Sequence, residues 1–392
     1  MVLRHITVSS RPVFAACVLF GLLSGCGGGN SNVGAPLPTT VSQPLANNRA
    51  LPGNPSPDIT LTTTQYRLPA AEYITDVVAA MDPANGALFL NTNAVLRSFL
   101  DGRYSYIKFV PYPNPPPTLV NLGTSGVGFS NNGTLYSGEG FFDSSPECSP
   151  EACTYIATAA TPRVGSPRVI TLSEQGFNPI VADATTDEKN RYEVLYNFIF
   201  VFTSPQLVTI DLSKPTNKQV TLINVGVPPP INGYALGTAM ARGTGVTWVA
   251  QTQSGDYITR VPDIGPMKSF PIALNSDVHG MAVDRTGYLW FCDTGHNKIG
   301  RMSPAGSYVE HTLPPSASPT RITLGSDGAL WFIEPPRNAL GRMTATGHFT
   351  EYALPSGGGS PVGIAGIGRY PGRYSNLLYV TKSKALVKVV LR

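Results

Sequence analysis

A seven-bladed β-propeller, an all-β ring of antiparallel sheets, is the fold this sequence predicts, and three observations predict it. The first is a gapless repeat of 41 residues. In it Leu289-Trp290-Phe291 recurs as Leu330-Trp331-Phe332, Asn297 as Asn338, Gly300-Arg301-Met302 as Gly341-Arg342-Met343, and Leu313-Pro314 as Leu354-Pro355. The second is composition: 40 Gly and 36 Pro punctuate short apolar runs, and only 13% of residues are charged, against about 25% in an average soluble protein. The third is that no convincing amphipathic helix follows the N-terminal segment. Each repeat unit reads as four short strands joined by tight turns. Four-stranded units at a period of roughly 40–45 residues are what a propeller blade requires.

Residues 1–25 form an export signal: Arg4 and Arg11 precede an apolar run, 13–23, of 11 residues. A membrane-spanning helix needs about 20 apolar residues. The run ends in Leu23-Ser24-Gly25-Cys26, which resembles the bacterial lipobox, with Cys26 as the lipid-modified first residue. Residues 26–58 are low-complexity and read as a flexible tether to the membrane, leaving 59–392 as the propeller. Gly27 after the cysteine points to the outer membrane of a cell envelope, with the domain facing the periplasm or the surface.

Losing the signal takes the net charge from +4 to +2. With no basic stripe, nucleic-acid binding is excluded, and the chain is expected to be a monomer. Cys148 and Cys153 have four residues between them and are expected to close a disulfide in an oxidising compartment, with a metal pair as the rival. Cys292 is expected to be a buried small hydrophobe.

The repeat extends in both directions from its clearest copies. Gly86-Ala87-Leu88-Phe89, followed by Arg97, is the earliest copy, and Gly133-Thr134-Leu135-Tyr136 is the next. Segments 192–200, 207–212 and 219–225 read as three strands of another, and Thr247-Trp248-Val249 opens one more. The last begins at Pro361-Val362-Gly363-Ile364 and continues through 377–381 and 385–389. It lacks an outer strand, whereas Thr64-Gln65-Tyr66-Arg67-Leu68-Pro69 is a spare copy of one at the start of the domain. Ring closure by that N-terminal strand is therefore expected, since it removes an exposed edge.

In such a ring the inner strands line a channel, and the turn before each inner strand faces one mouth. In Asp277-Val278-His279-Gly280 the register aligns His279 with Thr320 and Val362, and, at a spacing of 42, with Gly237. A histidine at the mouth fits either a local function or the capping of a turn. Asp293 and Glu334 recur two residues after the aromatic pair, as structural partners of turn backbone or as reacting groups. His296, His311 and His348 fall in turns or outer strands and are expected at the solvated surface. No nucleophile elbow, phosphate loop, dinucleotide fingerprint or HExxH motif is present.

The segments His279-Gly280-Met281, Gly287-Tyr288-Leu289-Trp290-Phe291, Asn297-Lys298-Ile299-Gly300-Arg301 and Phe349-Thr350-Glu351-Tyr352-Ala353-Leu354-Pro355 resemble the repeats of the virginiamycin B lyase (streptogramin lyase) family. The resemblance implies a propeller that opens a cyclic depsipeptide by elimination, with Mg²⁺ stabilising the enolate charge. It gives His279 the place of one family histidine, Asp277 that of a preceding glutamate, and Asp293 that of another. The family's second histidine falls on Gly237. The expectation is a lipid-anchored envelope protein that binds a small ligand or an envelope protein without a cofactor. The alternative is a Mg²⁺-dependent carbon–oxygen lyase working through His279, Asp277 and Asp293. A lactonase-like propeller holding Ca²⁺ in its channel is the third reading.

Overall fold

The computed structural model describes residues 256–367 and 372–392 without interruption, the greater part of 59–252 in shorter segments, and little before residue 59 beyond Thr40–Ser42. The signal, Cys26, and the Cys148–Cys153 loop lie outside the described residues. Apart from a single 3₁₀ turn, Pro335–Arg337, the regular elements described are β-strands.

The strands fold into successive antiparallel meanders. In the sheet that carries Trp290 the order is Val278–Val283, Leu289–Asp293, Lys298–Met302 and Tyr308–Thr312. The sheet that carries Trp331 repeats it with Ile322–Leu324, Leu330–Glu334, Ala339–Met343 and Phe349–Ala353. Leu236–Gly243 and Pro179–Thr186 open the two sheets before these, and Ala80–Met81 opens the earliest. A less regular sheet is built around Leu135–Phe142, with Val127–Phe129 paired to its first residues.

In the last sheet Pro361–Gly366, Leu377–Lys382 and Ala385–Leu391 are followed not by a later strand but by Leu61–Arg67, which pairs along the whole of Ala385–Leu391. Thr40–Ser42 then adds to Leu61–Arg67. The expected structureless tether therefore yields three residues to the sheet, because the free edge of Leu61–Arg67 presents unpaired backbone groups that an extended segment satisfies.

The repeated motifs are pieces of one interlocking unit. Asp284 accepts backbone N–H groups of Thr286 (2.8 Å) and Tyr288 (3.0 Å) through Oδ1, and the Trp290 indole N–H (2.9 Å) through Oδ2. Asp327 does the same for the Trp331 indole (3.0 Å) and also receives Arg342 Nε at 2.7 Å. The Gly and the Phe of the repeat are paired across strands, Phe291 with Gly300 and Phe332 with Gly341. Asn297 and Asn338 adopt φ of 58° and 48°, left-handed values that asparagine tolerates. Each donates from Nδ2 to the two carbonyls of the Leu-Pro motif ahead of it.

Replacing Asn297 with alanine removes these bonds and the one Oδ1 accepts from Ser318 N at 2.7 Å. It also forces alanine into a left-handed conformation, so a loss of about 2–3 kcal/mol is expected in urea denaturation. Asn297→Gly, spared the backbone strain, should lose less.

The core lies between sheets. Trp248 packs with Phe291, Met302 and Phe270; Trp290 packs with Leu330 and Phe332; Trp331 packs with Tyr352, Leu378 and Val387. Each tryptophan thus seals its own sheet to the next. Cys292 is buried and free, as expected, and burial raises its thiol well above the usual range. At the far ends of two first strands, Arg242 joins Glu188 (3.1 Å), Glu193 (3.3 Å) and Asp263 (2.9 Å). This buried cluster ties neighbouring sheets and holds the Asp263 carboxyl well below its usual range.

Candidate functional site

The first strands meet around a cavity of about 260 Å³, lined by 80–81, 127–129, 183–186, 240–242, 280–283, 321–324 and 364–367. Register irregularities interrupt four of these strands near their beginnings: between Val181 and Asp183, Gly237 and Ala239, Val278 and Met281, and Pro361 and Gly363. A bulge re-aims a side chain out of the sheet pattern. His279 lies within one of them, together with Gly280, whose missing Cβ would come within 2.4 Å of the Thr320 carbonyl of the next sheet. The recurring bulge is why the 41-residue ruler isolates one position per sheet at the mouth.

His279 Nε2 stands 3.0 Å from Asp277 Oδ2, and the two side chains are 42% and 53% exposed. Asp277 sits at φ 50°, in a loop where Asn275 is also left-handed. At this exposure the pair contributes at most about 1 kcal/mol to stability. The pair places an imidazole and a carboxylate side by side at the mouth.

Asp293 does not join this pair. It is fully buried, receives the Ser276 hydroxyl at 3.2 Å, and accepts the backbone N–H of His296 at 3.0 Å. The His296 ring Nδ1 also lies 3.0 Å from both its oxygens. Burial pushes the Asp293 carboxyl above the usual range, opposed by the bonds from His296. The trio predicted from sequence therefore separates into Asp277–His279 at the mouth and Asp293–His296–Ser276 within the turn.

The surface assignment holds for His296, which is exposed while its ring lies against Asp293. It is corrected for the other two: His311 is half-buried and stacks on Trp290 with centroids 6.3 Å apart, and His348 is buried. The physical reason is that the turns and outer strands of one sheet are covered by the next.

In the preceding sheet the residue left out of the ladder, as His279 is in its own, is Thr238, one place after the Gly237 that the 42-residue spacing indicates. Gly237 beside it is paired with Gln251, and the Asn197 amide clamps it, donating to its carbonyl and accepting from its N–H, both at 2.8 Å.

The position occupied by Asp293 is polar and buried in other sheets as well. Lys382 donates to the carbonyls of Pro355 and Gly357, each at 2.7 Å. Among the described residues none donates a hydrogen bond to either oxygen of Glu334, and Arg337 Nε is 3.4 Å away. Burial, reinforced by Glu351 and opposed by Arg337, pushes its carboxyl up to about 8.

Two residues that the sequence did not single out face the channel. Asp183 Oδ2 stands 3.6 Å from Arg321 Nη1, although they belong to non-neighbouring sheets. Arg321 follows Thr320, the residue aligned with His279, so the ruler read one place further would have found it. Asp183 lies where the repeat has faded.

Among the described residues no three His, Cys, Asp or Glu side chains gather as a metal-holding group. Asp277 and His279 offer two donors and Asp293 is engaged elsewhere, so the residues do not fit the Mg²⁺ site implied by the resemblance. The lining residues include one carboxylate, Asp183, facing a guanidinium. That is unsuited to Ca²⁺, which takes six to eight oxygen ligands.

The fold matches solved propellers. One is a catalytically inactive virginiamycin B lyase from Staphylococcus aureus solved with quinupristin, at 18% identity over 85% of this chain and 100% of that chain, with a TM-score of 0.62. Another is a streptogramin B lyase, at 18% identity over 85% and 98% of the two chains, with a TM-score of 0.62. A third is YCF48 bound to D1 peptide, at 14% identity over 88% and 98%, with a TM-score of 0.57. At these identities the likeness is one of fold. A comparison with curated protein sequences finds no match. Residues 231–369 match the Virginiamycin B lyase family, a span that holds the Trp290 and Trp331 sheets, His279 and Gly237. The chain is thus a β-propeller that over that span resembles the virginiamycin B lyase family.

Proposed function

We propose that this chain is a lipid-anchored cell-envelope propeller of seven blades, closed by Leu61–Arg67, that binds a small ligand or a protein partner and does not carry out lyase chemistry. The observation that carries the reading is Thr238, a hydroxyl in the bulge of the preceding sheet that matches the one holding His279. Elimination needs one group to take the α-proton and another to protonate the departing alkoxide. His279 with Asp277 supplies one proton-transfer group. The matching bulge of the preceding sheet offers the Thr238 hydroxyl and no second imidazole.

The exposed Asp277–His279 pair suits recognition, presenting an imidazole and a carboxylate at the mouth. A neighbour of like fold, YCF48, is solved with a bound peptide, which supports a binding role for such a scaffold. The second reading, a carbon–oxygen lyase, is favoured by the 3.0 Å contact of His279 with Asp277.

Incubation of the purified protein with a type B streptogramin and Mg²⁺, followed by mass spectrometry, is expected to leave the antibiotic cyclic. A linear product that vanishes in His279→Ala would overturn the binding reading in favour of the lyase.

A further inference from the structure

We propose that the channel beneath the mouth is a binding site for a compact carboxylate, with Arg321 as its anchor. Among the described residues Arg321 is the one guanidinium in the lining whose donors are uncommitted. Arg242, the other arginine there, is locked into bonds with Glu188, Glu193 and Thr247. The Arg321 side chain is 15% exposed, faces the cavity, and donates no hydrogen bond among the described residues. Its approach to Asp183, at 3.6 Å, is longer than a hydrogen bond.

Asp183 is poorly placed to satisfy it. Its oxygens already accept the backbone N–H of Met240 and of Ala184, each at 2.9 Å. Burial raises its carboxyl, opposed by Arg321 and by those two bonds. A partly buried guanidinium with free donors is costly unless an anion meets it, and its fork matches a carboxylate in a bidentate pair. The cavity of about 260 Å³ is smaller than the pockets of drug-sized ligands, which begin near 300 Å³. A compact acid fits that volume. The neighbouring Asp183 would receive a hydroxyl or ammonium on the same ligand.

Trifluoroacetate, followed by ¹⁹F NMR, is a direct probe. In the wild type its resonance should broaden and shift with an affinity of about millimolar, as one charge-assisted pair allows, and acetate should reverse the change while trifluoroethanol should produce none. Arg321→Met should weaken binding by about tenfold or more. The surface variant Arg373→Met should bind as the wild type does. Asp183→Asn, which keeps an acceptor for Met240 N–H but removes the internal anion, should tighten binding.

His279→Ala should leave the probe signal unchanged, so failure at the channel is distinguishable from failure at the mouth. No response in the wild type, or an equal response in a folded Arg321→Met, would overturn the proposal. If Arg321→Met does not fold, unchanged or weaker binding in Asp183→Asn overturns it instead.

Discussion

Gly300→Ala is expected to destabilise the protein by about 3 kcal/mol, at the upper end of the range for overpacking a filled core. A Cβ at this position would lie 2.0 Å from the Phe291 ring, which is fully buried. The ring has no easy retreat, since it packs in the cluster that holds Trp248 and Met302, with Tyr308 edge-on at 6.0 Å. Because φ at Gly300 is not left-handed, the penalty is one of space and not of backbone conformation. It should therefore respond to the size of its neighbour: adding Phe291→Leu to Gly300→Ala should recover part of the loss, a non-additivity expected of residues in contact. Urea midpoints of the wild type, both single variants and the double variant give the test. A loss below about 0.5 kcal/mol in Gly300→Ala would show that the sheet relaxes around the methyl group.

Glu334→Gln is expected to stabilise the protein in alkali and to do little in acid. The Glu334 carboxyl is raised from 4.5 to about 8 by burial first and by Glu351 second, against the pull of Arg337. Arg337 itself is held bidentately by Glu351, at 2.7 and 2.9 Å, and so does not neutralise Glu334 fully. Below the unfolded value both states carry the proton, and the full stability is present. As pH rises through the folded value near 8 the native state must bury a charge, and that stability is lost. Each tenfold difference in proton affinity between the folded and unfolded chain is worth about 1.4 kcal/mol, so the loss by pH 9 is at most about 5 kcal/mol. Glutamine reproduces the neutral acid, so melting curves of the two proteins should diverge upward from about pH 5. Equal stabilities at pH 9 would mean that Arg337 keeps Glu334 ionised throughout.

Both predictions rest on residues that the repeat marks, yet the repeat makes only the first legible. Phe291 and Gly300 recur together as Phe332 and Gly341 because each fills the other's space across one strand pair. Asn297 recurs with Leu313-Pro314, and Asn338 with Leu354-Pro355, because the amide closes on those two carbonyls. Contacts within one sheet leave paired signatures in sequence. The position shared by Asp293, Glu334 and Lys382 recurs only as something polar. One caps a turn and holds a histidine, one is left without a donor, and one ties two carbonyls.

The candidate site follows the same division. The ruler found His279 and its equivalents Thr320 and Val362, but in the preceding sheet it fell on Gly237, one place short of Thr238 in the bulge, because the hairpin that follows is one residue shorter. It could not reveal that Asp293 turns to His296, that His348 is buried, or that Arg321 meets Asp183.

The sequence by itself thus determined the sheets, their turns, the aromatic core residues and the single imidazole at the mouth, because these depend on neighbours within one repeat. Only the tertiary structure decided what those residues can do. Asn197 clamps the Gly237 backbone from 40 positions away, and Asp183 faces Arg321 from a non-neighbouring sheet. Such contacts arise when the first strands converge on one channel, and no periodicity along the chain encodes which side chains will meet there.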